Sequence, residues 1–129
     1  MLINNKMQKL KKKNLFSQRI ATIAGEILSI KSYVSVIDLM LGLNWLTPNQ
    51  LNNWKKGKVP YLELVITVNL GKISNAMKDF KSWALYSKLK PSITVYKHKN
   101  YKLRFSKTGN PNIETAYSTH YVLLKSQKK

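Results

Sequence analysis

Residues 47–60 read TPNQLNNWKKGKVP and carry the clearest start and stop signals for a helix in this chain. The first four residues supply an N-cap threonine, a first-turn proline and a glutamine at the third helical position, which together form a capping box. Gly57 stands where a helix ends in a left-handed residue, and Pro60 prevents any continuation. The segment therefore predicts a short, sharply bounded helix over residues 48–56.

Apolar residues at three- and four-residue steps predict further helices on either side of this segment. One amphipathic helix is expected over residues 16–30, followed by a shorter helix that begins near Tyr33 and ends at Gly42. On the C-terminal side, the same periodicity predicts a long helix over residues 61–88, which Pro91 bars from extending.

The pattern changes after the long helix. Residues 93–95 and 103–105 alternate between apolar and polar side chains, with a turn at 97–100, which predicts two strands joined as a hairpin. Asn110 precedes a proline and is well placed to cap a last helix over residues 111–124.

These elements predict a mainly α fold with a C-terminal β-hairpin: about four helices, the hairpin and a final helix. The chain has no internal repeat and no linker rich in proline, glycine or serine. We therefore divide it into a basic N-terminal arm at 1–14, a single domain at 15–124 and a basic tail at 125–129.

The charge of the chain favours a polyanionic partner. Its 23 basic and five acidic residues give a formal net charge of +18 in 129 residues. Fifteen of the basic residues and all five acids lie between Asn14 and Leu124, so the predicted domain alone carries +10. A surface of this kind attracts nucleic acid through counterion release and long-range steering. An anionic membrane or an acidic protein is the alternative class of partner.

Residues 36–60 resemble a helix-turn-helix DNA-binding domain of the Cro and phage-repressor type. The resemblance rests on Leu41-Gly42-Leu43 at the end of one helix, and on Trp54-Lys55-Lys56-Gly57 with Pro60 at the end of the next. The segment between Gly42 and Trp54 is slightly longer than is usual in that family. The resemblance implies a transcriptional regulator of bacterial or phage type that places its second helix in the major groove, often as a homodimer.

The side chains of the capped helix suit this role by themselves. Leu51 and Trp54 are three residues apart and should face inward. Asparagine pairs with the N6 and N7 edge of adenine, so three outward asparagines are the candidate base contacts, while Gln50 is used by the capping box. These candidates are Asn49, Asn52 and Asn53.

Lysines and one arginine near this helix and on the hairpin are the candidate phosphate contacts. They are Lys55, Lys56, Lys58, Lys97, Lys99, Lys102, Arg104 and Lys107. The hairpin also contains Tyr96, Tyr101 and Phe105, whose rings would suit unpaired bases. An RNA- or ribosome-associated protein that uses residues 92–107 is therefore the alternative function, and a basic adaptor for an acidic protein is another. A solvated edge hairpin without a partner is also compatible with the pattern.

Nothing in the sequence has the spacing of an enzyme site. The chain has no cysteine, its five acids are scattered, and His98 and His120 belong to no metal motif. The one polar group near the last loop and helix consists of Ser106, Lys107, Asn110, Glu114 and His120, for which helix capping is a sufficient explanation. We expect a cytoplasmic protein without enzymatic activity, metal or cofactor, which prefers duplex DNA to RNA and does not associate with membranes.

Overall fold

The computed structural model describes residues 2–124, with side chains from residue 15 onward. Five α-helices, one 3-10 helix and five short strands follow one another along this part of the chain. The α-helices are α1 (Leu2–Lys31), α2 (Val36–Gly42), α3 (Pro48–Lys55), α4 (Leu70–Tyr86) and α5 (Pro111–Ser118), with the 3-10 helix at Leu62–Val65. The strands are β1 (Tyr33–Ser35), β2 (Lys90–Ile93), β3 (Lys97–His98), β4 (Tyr101–Lys102) and β5 (Thr119–Val122).

The structure confirms the coarse prediction of a helix-rich fold but adds a sheet that was not predicted. The last strand, β5, lies between β1 and β2 and pairs antiparallel with both. Tyr121 is the partner of Val34 on one side and of Pro91 on the other. Strand β5 therefore links β1, from the N-terminal half of the chain, to β2, from the C-terminal half.

Two predicted elements of the C-terminal part are wrong because β5 takes their place or pairs with them, and the predicted hairpin is displaced. Thr119, Tyr121 and Val122 are β-branched or aromatic residues that favour a strand, so α5 ends at Ser118 rather than continuing through residue 124. The predicted strand at 93–95 belongs to β2 only at Ile93 and pairs with β5 instead of with 103–105. A hairpin is present, but its strands β3 and β4 have two residues each and lie at 97–98 and 101–102, between the two predicted strands.

The N-terminal helices also differ from the predictions. The predicted start at residue 16 is wrong, because α1 begins at Leu2 and the backbone of the expected basic arm continues this helix. No glycine or proline occurs before Gly25, and lysine, leucine and glutamine are good helix formers. The predicted basic tail at 125–129 lies outside the described residues.

Helix α2 begins later than predicted, because Tyr33 lies in β1. Ser35 accepts a hydrogen bond from the Asp38 backbone N–H, and the Asp38 carboxylate accepts one from the Ser35 backbone N–H. This capping box sets the first helical residue at Val36. At the other end, α2 ends at Gly42 as predicted, and Asn44 in the following turn takes the left-handed conformation (φ +62°).

The predicted long helix over 61–88 is wrong in its first third. The backbone N–H groups of Leu62 and Glu63 donate to the carbonyls of Arg104 and Phe105, and the N–H of Thr67 donates to the carbonyl of Trp45. These tertiary bonds hold the segment as a 3-10 helix and an extended turn, and α4 begins only after Asn69 caps it at the Lys72 N–H. The β-branched run at 65–68 weakens any helical alternative.

The core is organised around the aromatic side chain of Trp54. Its ring centroid lies 4.9 Å from that of Phe105 and 5.7 Å from that of Tyr96, and its indole N–H donates to the Arg104 carbonyl over 2.8 Å. Phe105 stacks in turn on Tyr117 of α5, with 5.3 Å between ring centroids. Helix α3 is therefore fixed to the segment after the hairpin and, through it, to α5.

Two carboxylates fix the loop between the hairpin and α5. Glu114 accepts from the backbone N–H groups of Phe105 and Ser106 and from the Ser106 hydroxyl. Glu63 accepts from the Lys107 backbone N–H and from the Tyr117 hydroxyl. Burial, followed by the interaction with Glu63, raises the pKa of Tyr117, so its phenol stays a donor.

His120 of β5 lies in a network of neutral polar groups beneath the hairpin. Its Nε2 is 2.6 Å from the Tyr96 hydroxyl, its Nδ1 is 3.3 Å from the Thr94 hydroxyl, and its ring stacks on Tyr33. Burial lowers the pKa of His120, and this effect together with Lys31 outweighs the opposite influence of Asp38. Burial, with the nearby Asp38 carboxylate, raises the pKa of Tyr96 to about 12.

Replacing Gly42 by alanine should destabilise the fold although alanine is the better helix former. A Cβ atom there would lie 2.5 Å from Ile23 Cγ2 on α1, and such overpacking typically costs about 1–3 kcal/mol. In the matched variant Gly25→Ala the new methyl meets nothing within 4 Å, so the free energy of unfolding should rise by about 0.5–1 kcal/mol. Urea denaturation measures both, and a stabilised Gly42→Ala protein would contradict the close approach of α1 and α2.

The free energy of unfolding should fall as the pH decreases from about 7.5 to about 5.5, the range in which an unfolded histidine gains its proton. The folded state resists protonation of His120, so the unfolded chain binds more protons in this window. The contribution of His120 to stability is therefore present above the window and is lost as the pH falls through it. Thermal melts across the window should show a clearly smaller fall in Tm for His120→Gln. The unsubstituted protein serves as the reference, and an unchanged pH dependence in His120→Gln would contradict this account.

Candidate nucleic-acid interface

Helix α3 begins at Pro48 as the sequence predicts and ends at Lys55, one residue before the predicted end. The Thr47 hydroxyl accepts from the Gln50 backbone N–H over 3.1 Å, and the Gln50 side chain accepts from the Thr47 N–H over 3.4 Å. Gly57 takes the left-handed conformation (φ +74°), and the N–H groups of Gly57 and Lys58 close the helix on the carbonyls of Trp54 and Asn53. The helix is thus held rigidly at both ends, and Gln50 is occupied by the cap.

The face of α3 opposite Trp54 carries only polar and basic side chains. Asn49, Asn52, Asn53 and Lys56 occupy the i, i+3, i+4 and i+7 positions, which lie along one side of a helix. Asn49, Asn52 and Lys56 are exposed, and Asn53 is half-buried. All three predicted base contacts therefore share one face, which we call the asparagine face.

The hairpin lies directly beside the C-terminal end of α3. A Cβ atom on Gly57 would be 3.1 Å from Cδ2 of His98, so the hairpin backs onto the turn that ends the helix. Lys56 and Lys58 flank Gly57, and Lys97 and Lys99 flank His98, so this contact brings the two short backbone segments that carry them close together. We call the combined surface the basic corner and define it by six exposed lysines: Lys55, Lys56, Lys58, Lys97, Lys99 and Lys102.

Two features of the hairpin lower the stability of the fold. Lys97 and Lys102 are direct partners across the two strands, and like charges in that position repel each other. Lys99 has a φ of +55°, a left-handed conformation that glycine or asparagine adopts more readily. Both features keep positive charge at the basic corner.

The remaining two predicted phosphate contacts are placed differently. The Arg104 guanidinium donates from Nε to the Ser106 carbonyl and from Nη2 to the Lys107 carbonyl, each over 2.9 Å. Its carbon Cζ also lies 5.5 Å from the ring centre of Tyr61. Arg104 therefore holds its own loop, and Lys107 is exposed on that loop after the hairpin rather than on the hairpin.

The acids are kept away from the basic corner. Asp38 caps α2 and pairs with Lys31 (2.8 Å), which is the one ion pair among the side chains that the structure describes. Glu63 and Glu114 accept hydrogen bonds from the loop at 105–107. Residues 39–62 and 80–113, which contain α3 and the hairpin, have no acidic residue.

The aromatic residues of the hairpin segment have separate roles that sequence reasoning did not distinguish. Tyr96 and Phe105 pack against Trp54, whereas the Tyr101 side chain is 72% exposed beside the basic corner. The polar group singled out around the last loop is likewise divided. Ser106 and Glu114 bond to each other and Asn110 caps α5, whereas His120 belongs to the network with Tyr96.

None of the helices in the described part of the chain is long and apolar enough to cross a membrane. No protein-family model matches the sequence, and neither a curated protein nor a solved structure matches it.

Proposed function

We propose that the chain is a sequence-specific DNA-binding protein, a transcriptional regulator in which α2 and α3 form a helix-turn-helix. The observation that carries this proposal is the position of the asparagine face next to the basic corner. One rigid surface thereby offers groups that read base edges and groups that neutralise phosphates.

The dimensions of α3 support the major groove as its site. A helix with its side chains is about 10–12 Å across, and the major groove of B-DNA is about 12 Å wide. Asn49 and Asn52, which lie in the first five residues of α3, would meet adenine edges, while Lys56 and Lys58 at its far end would meet the backbone. The hairpin lysines would then hold the neighbouring phosphates.

The exposed ring of Tyr101 favours a second candidate, the binding of single-stranded RNA. Tyrosine rings beside lysines stack on unpaired bases without a strict sequence preference. Only one of the three aromatic residues predicted for this role is exposed, because Tyr96 and Phe105 are buried or half-buried in the core. We therefore place duplex DNA first.

Base reading is tested by first selecting bound duplexes from random DNA and then measuring affinity by fluorescence anisotropy. The Asn49→Ala, Asn52→Ala protein should lose about 1–3 kcal/mol per base contact on the selected duplex and keep its affinity for a scrambled one. Asn75→Ala changes an exposed asparagine of α4 and is the matched control. Equal affinity for the selected and scrambled duplexes, or tighter binding of single-stranded RNA, would overturn the DNA proposal.

Lys99→Asn should separate stability from binding. Relief of the left-handed lysine should raise the free energy of unfolding by up to about 1 kcal/mol. Loss of one phosphate contact should reduce the magnitude of the slope of log K against log salt by about 0.9 for duplex DNA. Lys88→Asn relieves a similar strain (φ +58°) at the end of α4 and should gain stability without a change in DNA binding. If the slope of log K against log salt is unchanged in Lys99→Asn, the hairpin tip is not part of the DNA interface.

A further inference from the structure

A groove of about 590 Å³ lies between α4 and α5, on elements that the proposed DNA interface does not use. Its walls are mainly apolar, and Tyr121 of β5 also lines it. The apolar lining includes Leu70, Ile73 and Met77 of α4 and Ile113 and Ala116 of α5. A volume of this size falls within the range of small-molecule sites.

The groove leaves apolar surface in contact with water. Leu70 is 58% exposed and Ile113 is 41% exposed, although both line a concave surface rather than standing alone on a convex one. Clustered apolar side chains in a concavity are the usual lining of a ligand site. The burial of a ligand's apolar part there would be favourable.

The polar groups of the groove select the sign of the ligand's charge. Lys78 and Lys81 line the groove, and both are exposed. They are three residues apart on α4, so their side chains lie on the same side of the helix. Neither forms an ion pair within the part of the chain whose side chains are described. Glu63, the acid of the groove, already accepts bonds from the Tyr117 hydroxyl (2.7 Å) and the Lys107 N–H (2.8 Å).

The apolar Leu70 and the charged lysines lie at different positions along the groove. Leu70 begins α4 and Lys78 follows eight residues later, about 12 Å along the helix axis. An elongated apolar molecule would therefore extend over the Leu70 end while its charged group meets the lysines. The positive field of the whole protein would draw the same anion towards the surface.

We propose that this groove binds a small organic anion with an elongated apolar body, of the class of medium-chain carboxylates, with its carboxylate between Lys78 and Lys81. This site is independent of the proposed DNA function, because neither its lining nor its charge pair includes a residue of the asparagine face or the basic corner.

The test is titration of the full chain with decanoate, with decanol and decylammonium as probes of the same length, followed by ¹H–¹⁵N NMR shifts and calorimetry. We expect decanoate to bind at least about tenfold more tightly than decylammonium, with shifts confined to the residues that line the groove, on α4, α5, β5, the start of α2 and the 3-10 helix. Lys78→Gln combined with Lys81→Gln should weaken decanoate binding roughly five- to tenfold. The exposed pair Lys88→Gln and Lys90→Gln, outside the groove, should leave it unchanged.

A second variant tests the cavity itself. Ala116 is exposed at the groove, so Ala116→Trp should fill it, abolish decanoate binding and keep the far-UV circular dichroism of the fold. Equal binding of the three probes, or equal weakening by the two lysine pairs, would overturn the proposal. So would a concentration-dependent dimer that Ala116→Trp dissociates and that binds no decanoate, since a second copy would then be the occupant. Duplex-DNA affinity of the same variants should stay at that of the natural sequence, which separates failure here from failure of the DNA proposal.

Discussion

The hydrogen bond from the Trp54 indole to the Arg104 carbonyl is the interaction on which the rest of this structure depends. Trp54 is fully buried, so its N–H must find an acceptor, and the acceptor belongs to a segment fifty residues away. The same carbonyl also accepts the Leu62 N–H. One peptide oxygen therefore joins α3, the 3-10 helix and the segment after the hairpin, and this junction sets the hairpin beside the end of α3.

The distribution of charge follows from this arrangement. Three of the five carboxylates serve as internal acceptors: Asp38 caps a helix, and Glu63 and Glu114 hold the loop that follows Arg104. Glu63 and Glu114 thus accept from backbone N–H groups instead of pairing with surface lysines, whereas Asp38 both caps α2 and pairs with Lys31. The excess of positive charge at the basic corner is therefore a consequence of how the fold satisfies its backbone, as well as of composition.

Local signals made part of the fold predictable. Thr47, Pro48, Gln50 and Gly57 act within a few residues of one another, and α3 and the three candidate base contacts are where these signals place them. The sheet was not predictable in this way, because the pairing of β5 with β1 joins residues almost ninety positions apart. The break before α4 depends on carbonyls of Trp45, Arg104 and Phe105 that no local pattern announces. For the candidate site, the lysines of the hairpin could be named from sequence. The contact of the hairpin with the end of α3, through His98 and Gly57, could not be predicted.

The position of β5 has a consequence for the way this protein is made. Its strand is the last described element of the chain and the central strand of the three-stranded sheet. During synthesis β1 and β2 leave the ribosome before β5. Both therefore lack their strand partner until residues 119–122 emerge. Because chains emerge at roughly 5–20 residues per second, β1 stays without its partner for seconds, long enough for local helix formation to be complete. The order of events is therefore helices first and the closing of the sheet last, so the edges of β1 and β2 are open to aggregation until β5 has emerged.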